Sequence, residues 1–83
     1  MPRYFLHLID STDLLLDPEG IEMAAEAVGR CALAAARDCM AGDVKNGRLD
    51  LRYSIEVRDE RGELVHRLPF SDAVSILSPE PVS

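Results

Sequence analysis

The sequence is poor in cysteine and in aromatic residues, and it has no long apolar run. It contains no tryptophan, two tyrosines, two phenylalanines and two cysteines in 83 residues. Two cysteines exclude a disulfide-rich secreted scaffold. No apolar run approaches the ~20 residues that cross a bilayer, and no signal peptide pattern opens the chain. We therefore expect a cytoplasmic protein with reduced thiols and no membrane contact.

Positive charge is also scarce. Nine basic residues stand against fifteen acidic ones, for a formal net charge of −6 and an isoelectric point near 4.7. Such a surface repels phosphate, and the arginines are spread along the chain, so nucleic acid is not an expected partner. With 47% apolar and 29% charged residues the chain should fold as one small domain. We assign residues 1–77 to this domain and 78–83 to a loose C-terminal tail.

The first eighteen residues predict a hairpin. The stretch "RYFLHLID" is typical of a strand, "DSTD" of a turn and "LLLD" of a short return strand, which ends at Pro18 and Gly20.

Residues 21–44 change to the period of an α-helix, with Gly42 or Asn46-Gly47 as its end. The face predicted to be buried is mostly alanine, which favours close packing on a sheet: Ile21, Ala25, Val28, Ala32, Ala35 and Cys39.

A second hairpin follows. Apolar and polar residues alternate from Leu51 to Val57, which predicts a half-buried strand. The stretch "DERG" then predicts a type I turn with Gly62 in the left-handed region, and "ELVHRLPF" predicts the return strand. Pro69 suggests that this strand lies at the edge of the sheet or ends there. Two registers are open. One sets Val57 opposite Val65, and the other sets Ile55 opposite Leu68. "SDAVSIL" then predicts a helical turn or a short extension. The predicted fold is α+β, in the order β-β-α-β-β, with a four-stranded, mostly antiparallel sheet packed on one long helix.

The candidate reactive residues are few. Cys31 and Cys39 are eight residues apart on the predicted helix, a rise of about 12 Å, so they form neither a disulfide with each other nor a zinc site. We expect both to be buried, and the alternative is a reactive thiol or a disulfide between two chains. His7 and His66 form an acid–base or metal pair only if their strands are neighbours. "DPEGIE" attracts a cation or, more simply, leads into a helix N-terminus. No nucleophile elbow or phosphate loop is present, and we expect no catalytic residue, no metal and no cofactor.

Three stretches together carry a family resemblance: "MPRYFLHL", the acidic "DPEGIE" and "IEVRDERGELVHRLPF". The chain resembles a family of short bacterial proteins described only as a domain of unknown function. Members open with a Met-Pro-Arg-Tyr-Phe-Phe-His-like strand and close with a hairpin that runs into Leu-Pro-Phe. The resemblance implies a complete protein and places Arg3, Tyr4, His7 and Phe70 in the recurrent motif. It implies no activity.

Strand one is apolar on both faces, because Phe5 and Ile9 lie opposite Tyr4, Leu6 and Leu8. We expect the second face to meet another chain, with a candidate interface of Arg3, Phe5, His7, Ile9 and His66. The leading hypothesis is a small, non-catalytic interaction or regulatory module, a homodimer through its sheet face or edge. One alternative is an acidic antitoxin-like or nucleic-acid-mimic module that binds a basic partner. Another is a minor metal or acid–base site of His7 and His66 at a dimer seam.

Overall fold

Five strands and one α-helix make up the regular structure within residues 1–79, the part of the chain that the computed structural model describes. The strands are β1 (Arg3–Ile9), β2 (Asp13–Leu15), β3 (Ile21–Glu22), β4 (Ser54–Asp59) and β5 (Leu64–Pro69), and the helix is α1 (Val28–Lys45). All strand pairs are antiparallel, in the order β2-β1-β4-β5, and β3 also pairs with β1. The α+β class is confirmed, but the sheet has five strands and not four. Most of the predicted tail, residues 80–83, lies outside the described residues.

The first hairpin forms as predicted. His7 lies opposite Leu15, and Ile9 lies opposite Asp13. A carboxylate oxygen of Asp10 accepts hydrogen bonds from the backbone nitrogen of Thr12 at 2.7 Å and from its hydroxyl at 3.0 Å. This arrangement closes the polar turn, because a short acidic side chain replaces the missing backbone partner.

The helix starts later than the sequence predicts. Ile21 and Glu22 are extended and pair with Tyr4 and Arg3 at the beginning of β1. Strand β2 covers only the far half of β1, so the near half keeps free backbone groups that β3 satisfies. "DPEG" is therefore the turn between β2 and β3, not the start of the helix. The helix begins after a short 3-10 turn, Ala25–Ala27.

Gly20 allows the chain to return to β1. Its φ is +74°, in the left-handed region, and a β-carbon there would lie 2.8 Å from Cε1 of Phe5 and 2.9 Å from the carbonyl oxygen of Tyr4. Both the backbone conformation and the close approach require glycine.

The core lies between α1 and the sheet. The buried stripe of the helix consists of Val28, Ala32, Ala36 and Met40, so Ala36 and Met40 replace the predicted Ala35 and Cys39, which are half-buried. Ala32 and Ala36 are fully buried. Their small side chains let the helix approach the sheet closely, where it meets Ile55 and Val57 of β4 and Tyr4 and Leu6 of β1.

The second hairpin uses both of the predicted registers. Near the turn Arg58 lies opposite Leu64, whereas farther along Ile55 lies opposite Leu68 and Val57 opposite His66. A β-bulge between Val57 and Arg58 absorbs the difference of one residue. Gly62 is left-handed as predicted, with φ +81°.

A 3-10 turn, Phe70–Asp72, follows β5, so the helical-turn reading of "SDAVSIL" holds for its first residues. Phe70 is buried, and its backbone nitrogen donates to the carbonyl of Tyr53 at 2.9 Å. Arg37 of α1 donates from Nε to the carbonyl of Ala73 at 3.0 Å. These contacts attach the chain after β5 to the helix and close the core at that end.

Gly20→Ala should destabilise the fold by about 2–4 kcal/mol, since it adds left-handed backbone strain to overpacking against Phe5. That loss lowers the melting temperature of so small a domain by roughly 10 °C or more in a thermal unfolding experiment. Gly42→Ala is the matched control. Gly42 lies in α1 with open space around it, so alanine there should stabilise by about 0.5–1 kcal/mol. Equal melting temperatures for the two variants would contradict the role given to Gly20.

Candidate functional site

The face of the sheet that α1 does not cover is the candidate site, and we call it the open face. Because side chains alternate along a strand, burial of Tyr4 and Leu6 under the helix turns four predicted residues to the other side. The register adds their neighbours. The open face comprises Arg3, Phe5, His7 and Ile9 of β1, Asp13 and Leu15 of β2, Glu22 of β3, Ser54, Glu56 and Arg58 of β4, and Leu64, Arg67 and Pro69 of β5.

Contacts between polar side chains link neighbouring strands on the open face. Arg3 contacts the carboxylate of Glu22 at 2.7 Å, across β1 and β3. The Nδ1 atom of His7 lies 2.7 Å from a carboxylate oxygen of Asp13, across β1 and β2. Each of these contacts links the central strand to a short edge strand, so the Arg3–Glu22 ion pair and the His7–Asp13 hydrogen bond help to hold the sheet margin in place.

Charge on the open face is balanced. Three basic residues, Arg3, Arg58 and Arg67, stand with three acidic ones, Asp13, Glu22 and Glu56, so the formal sum is zero with histidine neutral. Arg58 contacts Glu56 at 3.0 Å, and Arg67 lies directly opposite Glu56 in the register. The net charge of −6 therefore lies elsewhere on the molecule.

One end of the open face carries a shallow cavity of about 290 Å³, lined in part by Ile9, Asp50, Arg52 and Arg67. The side chain of Arg52 donates two hydrogen bonds to the carboxylate of Asp50, from Nε at 2.9 Å and from Nη2 at 2.8 Å. These bonds, with the backbone nitrogen of Arg52, lower the pKa of Asp50 to about 2. Nearby, the carboxylate of Asp10 raises the pKa of Tyr53.

The two histidines are not brought together. Strand β4 separates their strands, and Val57, which lies opposite His66, faces the helix. His66 therefore lies on the helix side of the sheet, near Gly29 of α1, while His7 lies on the open face. Of the five predicted interface residues, Arg3, Phe5, His7 and Ile9 share one surface, and His66 does not belong to it.

The family model described as a domain of unknown function, DUF6894, matches residues 3–71. The chain belongs to the DUF6894 family. This confirms the resemblance seen in the sequence, and the match includes every residue of the open face. No curated protein and no solved structure matches the chain.

Both thiols of this DUF6894 domain are free in the structure of residues 1–79 and half-buried. Burial raises the pKa of Cys31 and, with help from the carboxylates of Asp43 and Asp38, that of Cys39. A raised pKa leaves less of the reactive thiolate at neutral pH. Both cysteines lie on α1, eight residues apart as the sequence predicts, although neither thiol is as deeply buried as predicted.

The acidic "DPEGIE" stretch does not gather a ligand cluster. Within residues 1–79 no group of three or more His, Cys, Asp or Glu side chains is placed to hold a metal ion. The carboxylate of Asp17 instead accepts a hydrogen bond from the backbone nitrogen of Glu19 at 3.0 Å, within the turn. In the same described range, no helix is both long enough and apolar enough to cross a membrane.

Sequence reasoning found the β1 part of the open face and missed the rest. The sequence predicted a strand at Leu15 and a turn at Asp13, and the side on which they lie could be known only once the hairpin register was fixed. Glu56 and Arg58 carried a usable signal, since they alternate with the buried Ile55 and Val57.

Titration of Asp50 should have its midpoint at about 2 by carboxyl-carbon NMR, well below the ordinary 3.8. Because the folded pKa is depressed, the Asp50–Arg52 pair stabilises the fold above about pH 4, and this contribution is lost as the pH falls through about 2. In Arg52→Ala the midpoint should rise toward 3.8. A midpoint that does not move would show that the guanidinium is not the cause.

Cys31 and Cys39 should react with a thiol reagent such as DTNB at pH 8 at least about tenfold more slowly in the folded protein than in urea, because burial both raises their pKa and limits access. The variants Cys31→Ser and Cys39→Ser assign the two rates. A thiol that reacts in the folded protein as fast as in urea would be a reactive site and would contradict the structural role.

Proposed function

We propose that this domain is a small, non-catalytic interaction module that forms a homodimer through the open faces of two copies. The single observation that carries the proposal is a charge-neutral sheet face with uncovered apolar side chains, Phe5, Ile9 and Leu15, on a strongly acidic chain.

Apolar side chains on the open face have no layer to cover them. Phe5 and Ile9 of β1 are half-buried by their neighbours alone, and Leu15 of β2 remains 38% exposed. A sheet that packs one face on a helix normally turns polar residues to water on the other face. The departure from that pattern on the central strand favours a covering partner.

The balance of charge favours a copy of the same chain. Two molecules of net charge −6 repel each other over most of their surface. On the open face the sum of formal charges is zero, so two copies repel each other least when they approach through this face. A symmetric arrangement also lets Arg67 of one copy approach acidic residues of the other, since a two-fold interface is self-complementary. An acidic mimic would instead need a row of carboxylates of one sign, which the open face does not have.

The sheet edges are less suited to pairing. At one edge β2 and β3 are only three and two residues long. At the other edge β5 carries the bulge and ends in Pro69, which has no backbone donor. Short strands, bulges and proline are the devices that prevent edge-to-edge association. Of the two contact modes considered from the sequence, the face is the better supported.

The interface is small, so the dimer is weak. The seven residues of β1 span about 23 Å, and four strand widths span about 19 Å. This gives a footprint of roughly 400 Å² in projection on each copy, about half of the ~800 Å² that each partner buries in a standard specific interface and in the range of weak, transient contacts. We therefore expect a dissociation constant in the micromolar range. In so weak a dimer, another protein with a similar surface could replace one of the two copies.

A non-catalytic role agrees with the chemistry of the side chains. The two thiols have raised pKa values, and the two histidines face opposite sides of the sheet. The proposal places the protein in the cytoplasm, where reductants keep Cys31 and Cys39 as thiols. Neither a neutral face nor an acidic remainder suits a nucleic-acid partner.

Adjacent leucines of β2 provide a matched test. Leu15 lies on the open face and Leu14 on the helix side, with both partly exposed. Light scattering after size exclusion, over about 10 µM to 1 mM, should give twice the 9.2 kDa mass at high concentration, with or without reductant. Leu15→Ser should lower dimer affinity by about tenfold through lost apolar burial, and Leu14→Ser should leave it unchanged.

Three results would contradict this proposal. The first is a monomer at every concentration. The second is a dimer that Leu14→Ser disperses, which would place the contact on the helix side. The third is a dimer that dissociates on reduction, which would make the cysteines the link.

A further inference from the structure

The helix side of the sheet has its own uncovered apolar surface, at the margin formed by β2 and β3. Leu14 lies opposite Leu8, and the backbone nitrogen of Leu16 donates to the carbonyl of Leu6 at 2.9 Å, so both leucines face the helix side. Ile21 lies opposite Tyr4 on the same side. We call Leu14, Leu16 and Ile21 the aliphatic ledge. They are 56%, 37% and 36% exposed.

The ledge is uncovered because one helix is too narrow for this sheet. The helix packs on β4 and β5 and buries Tyr4 and Leu6 of β1, but it does not extend over β2 and β3. The distance from β4 across β1 to the β2 margin is two strand spacings, about 10 Å. Packed helices lie 8–10 Å apart. A second helix placed beside α1 would therefore lie directly over the ledge.

The side of α1 toward the ledge is suited to such a neighbour. Gly29 and Arg37 mark the opposite flank, since they contact His66 of β5 and the carbonyl of Ala73. The flank toward the ledge carries Cys31, Ala35 and Cys39, all half-buried. Small side chains along a helix flank let another helix axis approach closely, so this flank can serve as a wall beside the ledge.

The charge around the ledge defines the partner. Residues 10–29, which include β2, β3 and their turns, contain no Lys, Arg or His and six carboxylates: Asp10, Asp13, Asp17, Glu19, Glu22 and Glu26. The other residues contain nine acidic and nine basic side chains, since 15 − 6 = 9, so this one segment accounts for the whole net charge of −6. Two of the six carboxylates, Asp13 and Glu22, belong to the open face on the other side of the sheet, where they contact His7 and Arg3. Asp17 and Glu19 are exposed in the turn next to the ledge.

We propose that the aliphatic ledge binds a basic amphipathic helix of another protein, laid beside α1. Leucine-like side chains of the partner, spaced i, i+3, i+4 and i+7, cover Leu14, Leu16 and Ile21, while its flanking lysines or arginines face Asp17 and Glu19. A helix of about 15 residues matches the ~23 Å length of β1. The site lies on the opposite side of the sheet from the open face and does not depend on the proposed homodimer.

The test uses a labelled model peptide of about 15 residues, made of leucine and lysine with leucines at helical spacing, and a scrambled peptide of the same composition. Fluorescence anisotropy with the full-length protein measures both affinities at low and at high salt. The ordered peptide should bind at least about tenfold more tightly than the scrambled one, and its binding should weaken as salt rises. Leu14→Ser should weaken binding by about tenfold or more, whereas Leu15→Ser should change it less than about twofold. Thermal unfolding of both variants verifies that they fold.

Equal binding of the scrambled peptide would overturn the inference, since charge alone would then account for the affinity. Unchanged binding by Leu14→Ser would overturn it as well. Dispersal of a homodimer by Leu14→Ser would show that a second copy covers the ledge instead. The two leucine variants separate this inference from the proposed function: loss of peptide binding only in Leu14→Ser supports the ledge even if the protein proves to be a monomer.

Discussion

Strand β1 hydrogen-bonds to neighbours along both of its edges, and the rest of the fold depends on this double pairing. Strand β4 accompanies it from Tyr4 to Ile9, while β3 and β2 share its other edge in sequence. Without β1, β2 and β3 would lose their strand partner, and the β4–β5 hairpin would be only marginally stable. The alternating side chains of β1 also supply Tyr4 and Leu6 to the core and Phe5 and Ile9 to the open face. One strand therefore sets both the packing and the candidate interface.

The narrowness of the helical layer is the second constraint. A helix about 10 Å across covers two to three strands, and this sheet is four strands wide. Alanines at the buried positions bring α1 close to β4 and β5, where Ile55 and Val57 are fully buried, but this close approach does not widen its cover. The sheet is thus left with two apolar surfaces, one on each side. A chain of 83 residues has no further element among residues 1–79 with which to bury them.

Sequence periodicity predicted the elements whose residue pattern fits only one type of secondary structure. β1, the β4–β5 hairpin and most of α1 follow from alternation or from helical spacing. The start of α1 was not predicted correctly. Ile21 fits the helical spacing to Ala25, but it is extended and pairs with Tyr4 of β1. The hairpin register looked ambiguous because the bulge beside Val57 lets both registers occur. Placement of His66 could not be predicted either, since the bulge decides which side of the sheet it faces.

The two uncovered surfaces, the open face and the ledge, differ in the charge that surrounds them, and this difference would give them different binding partners. The open face is neutral, because each of its cations stands near an anion, as Arg3 stands with Glu22. The ledge adjoins the turn that carries the exposed carboxylates of Asp17 and Glu19. If the ledges of two copies met, Asp17 and Glu19 of each would face their like, which is unfavourable in a partly desolvated contact. Under the two proposals, like charge disfavours a second copy on the ledge, whereas the neutral open face carries no such penalty, so the two sides of the sheet would suit partners of different chemistry.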